Sequence, residues 1–501
     1  MARAHRSITK DPAKAFISTW DTAITYTGST ANNQIRLPLI STGTYKFTVQ
    51  WGDNTSNVIT SWNQAEVTHT YPAPGVYTVT ITGFIKGWDF AGQNQVSPAG
   101  VVGDRRKIIS ITQWGCLRLV TYENLTLLAG AFYECSNLDL SGVTDMFNFK
   151  GTTSAIGFIR RCTVPTVPNI NKWDVSKLTW FRNMLRDNPF FNGDISYWNV
   201  SRGKNFGNFV NGYTNVAPYG AFNQDITNWD MSNAEDISYM FFSQPYFNQE
   251  IGKWNVTNKV TTAAGIVGQF NLPGIFTNAG TDSINNWDVS NVTNFQSIFQ
   301  QQPLFNCYIG DWNTGNVTNM FYAIGTNPPI PAGIFNQDIS NWDMSKVTDM
   351  RSMLAGQPLF NQEIGKWNLG NVITASFALS SDSPGAFTNL GSSSINNWNL
   401  TKATTLRGIF ERCTSFNQPI NNWSLPLVTD MRGFLYEIPS ETYAFSKQNY
   451  SDFLINLASQ PLQPNVQLQI WQFYGPSAVA ARAVLTSAPN NWTIVDLGLE
   501  P

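Results

Sequence analysis

The chain is poor in charge, in histidine and in long apolar runs, and each shortage removes a class of function. Lys and Arg number 31 and Asp and Glu 33 among 501 residues, a 13% charged share with a net charge of −2, about half of the ~25% usual for soluble domains. Nucleic-acid binding by counterion release needs a clustered surplus of Lys and Arg, so it is excluded. No run approaches the roughly 18 consecutive apolar residues of a membrane-spanning helix. The two histidines, His5 and His69, are too few for a His-rich metal site and argue against a Ser-His-Asp or Cys-His device. The five cysteines, Cys116, Cys135, Cys162, Cys307 and Cys413, are odd in number, widely spaced and without a C-x-x-C pair. They read as buried reduced thiols rather than as disulfides or zinc ligands. The N-terminus carries Arg3, His5, Arg6, Lys10 and Lys14 without a following apolar stretch of roughly 7–15 residues, so Sec export is not expected and the basic arm is a candidate docking element.

What the chain does have is aromatic and amide: 18 Trp, 17 Tyr and 33 Phe, with abundant Asn, Gln, Ser and Thr in place of charge. A 42% hydrophobic share supports packed cores, and the length suggests about three domains. Between residues 36 and 85 apolar and polar residues alternate, as at Tyr45, Phe47, Val49 and Trp51 and again at Val76, Val79 and Ile81. Turn signals at Gly52 to Asn54 and Pro72 to Gly75 separate these runs. Such punctuation predicts a small antiparallel β-sandwich. The Trp51-Gly-Asp-Asn54 turn, His69-Thr-Tyr71 and the Gly75-Val-Tyr strand resemble the polycystic-kidney-disease (PKD) type of Ig-like domain. The resemblance departs at Asn54, where the family has Gly; Asn tolerates the left-handed backbone that such a turn requires. It implies a spacer or adhesive module with a structural His69.

The middle of the chain repeats. Trp173, Trp198, Trp229, Trp254, Trp287, Trp312, Trp342, Trp367, Trp398 and Trp423 are separated by 25 residues alternating with 30, 31 or 33. Apolar residues follow each Trp at steps of about three, as in Met344, Val347, Met350, Met353 and Leu354 after Trp342. That spacing suits neither a strand nor a long helix; it suits tight coils stacked so that like positions form ladders. At about 4.8 Å per coil, ten coils span on the order of 45–50 Å. Phe-Asn stands seven residues before the Trp in seven units, at Phe191, Phe222, Phe247, Phe305, Phe335, Phe360 and Phe416. The Trp and Phe ladders are expected in the core; an exposed sugar-stacking track is the alternative. The residue after each Trp is Asp, Asn or Ser, as at Asp174, Asn199, Asp230 and Asp343, suited to bonding a nearby backbone N–H at a corner. A calcium-binding or paired-acid column is diluted by the Asn of alternate coils, and no cofactor is expected.

Units such as Phe335-Asn-Gln-Asp-Ile-Ser-Asn-Trp-Asp-Met344 resemble the BspA-type leucine-rich repeat family, over about 105–437. That family implies adhesion or protein contact, typically on secreted bacterial surface proteins. The expected fold is mainly β: an N-terminal arm (1–15), a PKD/Ig-like β-sandwich and linker (16–104), a leucine-rich-repeat-like solenoid of 25–31-residue coils (105–437) and a small α-containing C-terminal cap (438–501). Helices are expected near 447–458 and 477–487, covering the edge of the last coil.

Same-class Trp pairs 111 or 113 residues apart indicate a duplicated block of four coils. Every second coil carries a Gly/Pro-rich excursion, near 207–220, 266–283, 324–334 and 379–394. A row of loops on one edge is expected, and loops on a rigid scaffold usually hold recognition. The candidate contact residues are therefore Tyr213, Pro218, Tyr219, Phe270, Leu272, Pro329, Pro331, Pro384 and Leu390. No phosphate loop, metal constellation or triad calls for an enzyme. The expectation is a non-enzymatic structural and binding protein, an exposed phage virion component (capsid decoration, tail or fibre) assembled in the host cytoplasm and located on the virion surface. Its partners would be proteins of the virion or of a host surface, with copies of itself within an assembly. A bacterial cell-surface adhesin is the alternative, and a glycan-binding solenoid a third reading.

Overall fold

The computed structural model of the protein describes residues 14–91, 103–121, 130–212, 219–270, 272–381, 383–435 and 443–501. The fold is mainly β with few helices, and the chain falls into two compact units divided near Gln224 and Asp225.

The first unit opens with β1 (Phe16–Asp21), β2 (Gln34–Arg36), β3 (Leu39–Gln50), β4 (Ser56–Ile59), β5 (Thr68–Thr70), β6 (Val76–Trp88), β7 (Ile108–Gln113) and β8 (Leu117–Arg118). A six-stranded sheet runs β4-β3-β6-β1-β7, with β8 joined in parallel to β6. The antiparallel pair β2 and β5 forms a separate ribbon. Period-two alternation works as the sequence predicts: Phe47, Val49, Val79, Ile81 and Ile85 are buried around Trp20, Trp51 and Trp88. The turn after Trp51 places Gly52 at φ 89° and Asn54 at φ 69°, the left-handed backbone that Asn tolerates. The sheet does not stop at residue 104. Ile108–Gln113 pairs antiparallel with β1, and Ser110 also bridges in parallel to Asp139. This segment, which reads as a first coil in the sequence, thus shares its hydrogen bonds between the sheet and the repeats.

At that junction Asp104 and Lys107 are both fully buried, 3.7 Å apart. Lys107 Nζ donates to the carbonyls of Thr30, Ala31 and Gln34 and to Thr30 Oγ1. Asp104 accepts from the backbone N–H groups of Thr30 and Arg36 and from Thr30 Oγ1. Burial pushes the Asp104 carboxyl up and the Lys107 amine down. The pair is held by a full set of hydrogen bonds, without which two buried charges would be costly.

In the second unit, isolated parallel bridges link successive repeats: Asn294 to Asn319, then Asp349, Thr374, Thr405 and Asp430. The strand content is low because each repeat contributes one bridge residue and otherwise turns. Below the bridges the indoles stack in parallel. Trp254, Trp287, Trp312 and Trp342 lie 6.1–6.5 Å apart between centroids, with planes within 5°. That spacing exceeds the ~4.8 Å between paired strands, so the rings are slid past one another, the offset geometry aromatic pairs favour.

The last repeat ends in β9 (Asp430–Leu435), followed by α1 (Lys447–Ala458), β10 (Gln467–Ile470), β11 (Phe473–Tyr474), α2 (Val479–Thr486), β12 (Thr493–Val495) and β13 (Gly498–Leu499). The two helices fall where the sequence places them. The edge of the last repeat is covered differently from the expected helical lid: β10 pairs in parallel with β9 and β12 pairs in turn with β10. A strand satisfies a row of edge N–H and C=O groups that a helix, whose backbone is internally bonded, cannot. From α1 the side chains help, Asn456 donating to Trp423 O at 2.8 Å and Phe453 stacking on Phe434.

Candidate functional site

Three ladders build the repeat scaffold. Each marker Trp of the second unit from Trp254 to Trp423 is at most 3% exposed. Its indole N–H donates to the carbonyl of an Ile in the preceding repeat: Trp254 to Ile226, Trp312 to Ile284, Trp342 to Ile309, Trp423 to Ile395, at 2.9–3.1 Å. In the first unit Trp198 does the same to Ile170, and Trp173 stacks on Trp198. Buried in this way, the tryptophans are core and have no face for a sugar, although the indole N–H of Trp173 is buried without a hydrogen-bond partner. Trp229 is equally buried.

The second ladder is phenylalanine. Phe247, Phe276, Phe305, Phe335, Phe360, Phe387, Phe416 and Phe445 stack in sequence at 5.9–6.2 Å. Phe276 and Phe387 supply two of the three rungs missing from the Phe-Asn count, those of the units of Trp287 and Trp398. They stand eleven residues before their Trp, and the extra residues are taken up by short 3-10 turns at Asn278–Gly280 and Asn389–Gly391. Phe445 extends the ladder into the cap. Beside it runs a third ladder of asparagine: Asn306 Oδ1 accepts from Asn336 N, Asn336 from Asn361 N, and Asn361 from Thr388 N, at 2.8–2.9 Å.

The residue after most of the marker tryptophans performs the corner bond predicted for it, whereas Asn255 accepts from Met231 N of the preceding repeat. Asp174, Asn199, Asp230, Asp288, Asp343 and Asn399 each accept from the backbone N–H two residues on, at 2.9–3.2 Å. Bonds from Ser345 hold the Asp343 carboxyl below the usual carboxylate range, as Ser176 does for Asp174. Among the described residues no group of three or more His, Cys, Asp and Glu could hold a metal ion.

His69 lies flat on Trp51, 4.6 Å between centroids, and its Nε2 is 2.8 Å from Asp53 Oδ2. A hydroxyl beside it, Thr55 Oγ1, lies 3.5 Å from the same Nε2. A relay needs its acid and its nucleophile on opposite ring nitrogens; here both contacts fall on Nε2, and the constellation ties a turn together. His5 lies outside the described residues.

Of the predicted contact residues, Tyr213 and Pro218 lie outside the described residues and Tyr219 is half-buried. Phe270 and Leu390 are exposed, as are Pro329, Pro331 and Pro384, while Leu272 is half-buried. The excursions that carry them return tightly to the scaffold. Gly274 N donates to Gln301 O and Gly333 N to Gly356 O, and a Cβ on either glycine would meet a buried glutamine carboxamide, Gln302 or Gln357, at 2.1 Å.

A more continuous feature stands one residue before the Phe ladder. Tyr246, Ile275, Leu304, Ile334 and Leu359, from five successive repeats, are 59, 42, 49, 40 and 53% exposed. In extended chain neighbouring side chains point to opposite sides, so a Phe buried in the ladder turns its predecessor outward. Backbone bonds Ile275 N to Pro245 O and Ile334 N to Pro303 O hold adjacent rungs together. With the rungs about 6 Å apart, the five form one apolar stripe flanked by the asparagine ladder. The signal was present as Pro-x-Phe in three of the repeats and Gly-x-Phe in the other two, with x apolar, but an apolar pair beside a repeat marker reads as core unless the direction of each side chain is known.

The same unit holds a cleft of about 340 Å³ lined by Tyr322, Asn327, Ser352, Phe377, Ser381 and Arg412 among others.

Against known proteins, a family model described as "Mycoplasma protein of unknown function, DUF285" matches three successive segments, 153–272, 270–386 and 385–453. The first two segments carry four marker tryptophans each and the third carries two, in register with the four-coil duplication. No curated protein and no solved structure matches.

Proposed function

The chain belongs to the DUF285 family, whose model spans more than half of it, and from that premise we propose that it is a non-enzymatic structural and binding protein. Its repeat array presents an apolar stripe to a protein partner. The observation that carries this reading is the stripe from Tyr246 to Leu359, five exposed apolar residues that occupy the same register position, one before the Phe ladder, in five successive repeats. A soluble surface rarely keeps such a row unless something covers it. In this reading His69 is structural: it meets Asp53 and Thr55 through the same Nε2 and lies flat on the Trp51 face.

The fold belonging to this reading is a leucine-rich-repeat-like solenoid of the BspA type after a PKD/Ig-like sandwich. The Trp, Phe and Asn ladders support the first part, and the alternating strands with the left-handed Asn54 support the second. The setting we favour is the surface of a phage particle, as a decoration, tail or fibre protein touching the particle or a host surface. A bacterial surface adhesin is the second reading, favoured by a family description that names Mycoplasma proteins. The test is the double variant Leu304→Asp, Leu359→Asp, followed both in purified particles and on host cells. Loss of incorporation or of cell retention, with the far-UV spectrum and melting temperature kept, is expected. Full retention of both activities overturns the stripe as the contact, and recovery of the chain only from cell-surface fractions selects the adhesin.

A further inference from the structure

In the first unit four arginines gather where the composition gave no hint of positive charge. Successive repeats place Glu134, Arg161 and Asp187 in one column, all at left-handed φ of 55–59° and linked by Glu134 N to Arg160 O, Arg161 N to Arg186 O and Asp187 N to Asn211 O. Their predecessors Tyr133, Arg160 and Arg186 form the adjoining column. Arg105 enters from the turn before β7. The guanidiniums of Arg105, Arg160 and Arg161 lie 5.6, 5.3 and 5.9 Å from the centroid of the single Tyr133 ring.

Two carboxylates answer these four cations. Glu134 pairs with Arg105 and, at 2.9 Å, with Arg161. Asp187 lies 3.2, 3.4 and 3.8 Å from Arg161, Arg186 and Arg160. Two positive charges are left over in a half-buried place. The donors are unfinished as well: among the described residues Arg105 Nε, Arg105 Nη1 and Arg160 Nε are buried without a hydrogen-bond partner, although Arg105 is 8% exposed. Burial and then the Arg186 charge lower the Arg160 pKa, the sign of a cation crowded by its own kind. Arg161, 47% exposed, and Arg186, 22% exposed, open the cluster to solvent.

Buried polar groups are almost always bonded, and planar guanidinium forks match the oxygens of a phosphate or sulfate group. We propose that Arg105, Arg160, Arg161 and Arg186 form a binding site for a dianionic tetrahedral oxyanion, a phosphate or sulfate group, which the two excess charges would neutralise. The inference is independent of the apolar stripe, which lies in the other unit.

The experiment titrates the full chain with inorganic phosphate against sodium chloride at matched ionic strength, by calorimetry and by melting temperature. Saturable binding of phosphate in excess of chloride is expected. In Arg161→Gln, Arg186→Gln, whose side chains are the more exposed ones, half-saturation should rise on the order of tenfold per lost charge-assisted bond. Glu134→Gln, which removes the competing carboxylate and frees its arginines, should tighten binding, a gain that a purely structural ion-pair role would not produce. Dextran sulfate against unsulfated dextran separates the sources: selective retention on the sulfated polymer assigns a polymer-borne group, and response to phosphate alone assigns a free ion. Equal response of wild type and the double arginine variant, or no response to either anion, overturns the site.

Discussion

Replacing Trp342 tests whether the indole ladder holds the repeats together. The side chain is 3% exposed, its ring lies parallel to Trp312 at 6.5 Å, and its Nε1 donates to Ile309 O at 3.0 Å. Trp342→Ala empties a space that two neighbouring repeats cannot close without breaking their own bridges, and truncations of buried aromatic residues cost about 3–5 kcal/mol. Trp342→Phe keeps most of the apolar contact and removes the N–H, leaving the buried Ile309 carbonyl short of a partner for about 1–3 kcal/mol. The two variants therefore separate packing from hydrogen bonding at one position. Urea unfolding followed by far-UV circular dichroism reads both, with Leu359→Ala on the exposed stripe as a control expected within about 0.5 kcal/mol of wild type. In a repeat array each unit is stabilised chiefly by its neighbours, so a broadened or split transition for the Ala variant would also fit. A loss below about 1 kcal/mol for Trp342→Ala, or Phe as costly as Ala, would refute the ladder as the stabilising element.

Asp343→Asn should be nearly silent at pH 7, because Asn keeps the Oδ1 that accepts from Ser345 N and occupies the same position in alternate repeats. The Asp343 carboxyl is held below its usual range by those bonds, so its stabilisation is present above the unfolded value of about 3.9 and lost as pH falls through the folded one. The variant should lose less stability than wild type on acidification below about pH 4, read by melting temperature across pH. Lys107→Met strands a fully buried Asp104 and should cost about 3–5 kcal/mol in denaturant unfolding of the first unit; a cost under half of that would contradict the pair's role. Gly333→Ala forces the Gln357 carboxamide from its bonds to Phe335 N and Ile324 O and should destabilise by about 1–3 kcal/mol through overpacking, whereas Gly391→Ala, with open space around it, should show only the smaller penalty of its left-handed backbone.

The ladders were readable in the chain because a repeat writes each structural position ten times. Trp342 alone would be one aromatic residue; ten tryptophans at 25 and about 31 residues, nine of them followed by Asx and one by Ser, define a corner and the bond that turns it. Phe276 and Phe387 escaped that reading because four extra residues shift them from seven to eleven before their Trp, and spacing cannot show that a 3-10 turn absorbs the difference. The cap strand β10 was missed for a related reason. Its partner β9 lies more than thirty residues earlier, and a four-residue strand carries little signal of its own. The stripe and the arginine cluster were the least legible features. Both depend on which way single side chains point, and Arg105 reaches its neighbours from a different part of the fold, so the chain's low average charge concealed a local surplus.

The proposed contact surface is the stripe from Tyr246 to Leu359. The most direct measurement is electron cryo-microscopy of the chain within the assembly that contains it, at a resolution that places side chains. A partner's density packed along Tyr246, Ile275, Leu304, Ile334 and Leu359 is expected. Density showing those five residues facing solvent, with the partner bound on another face, would contradict it.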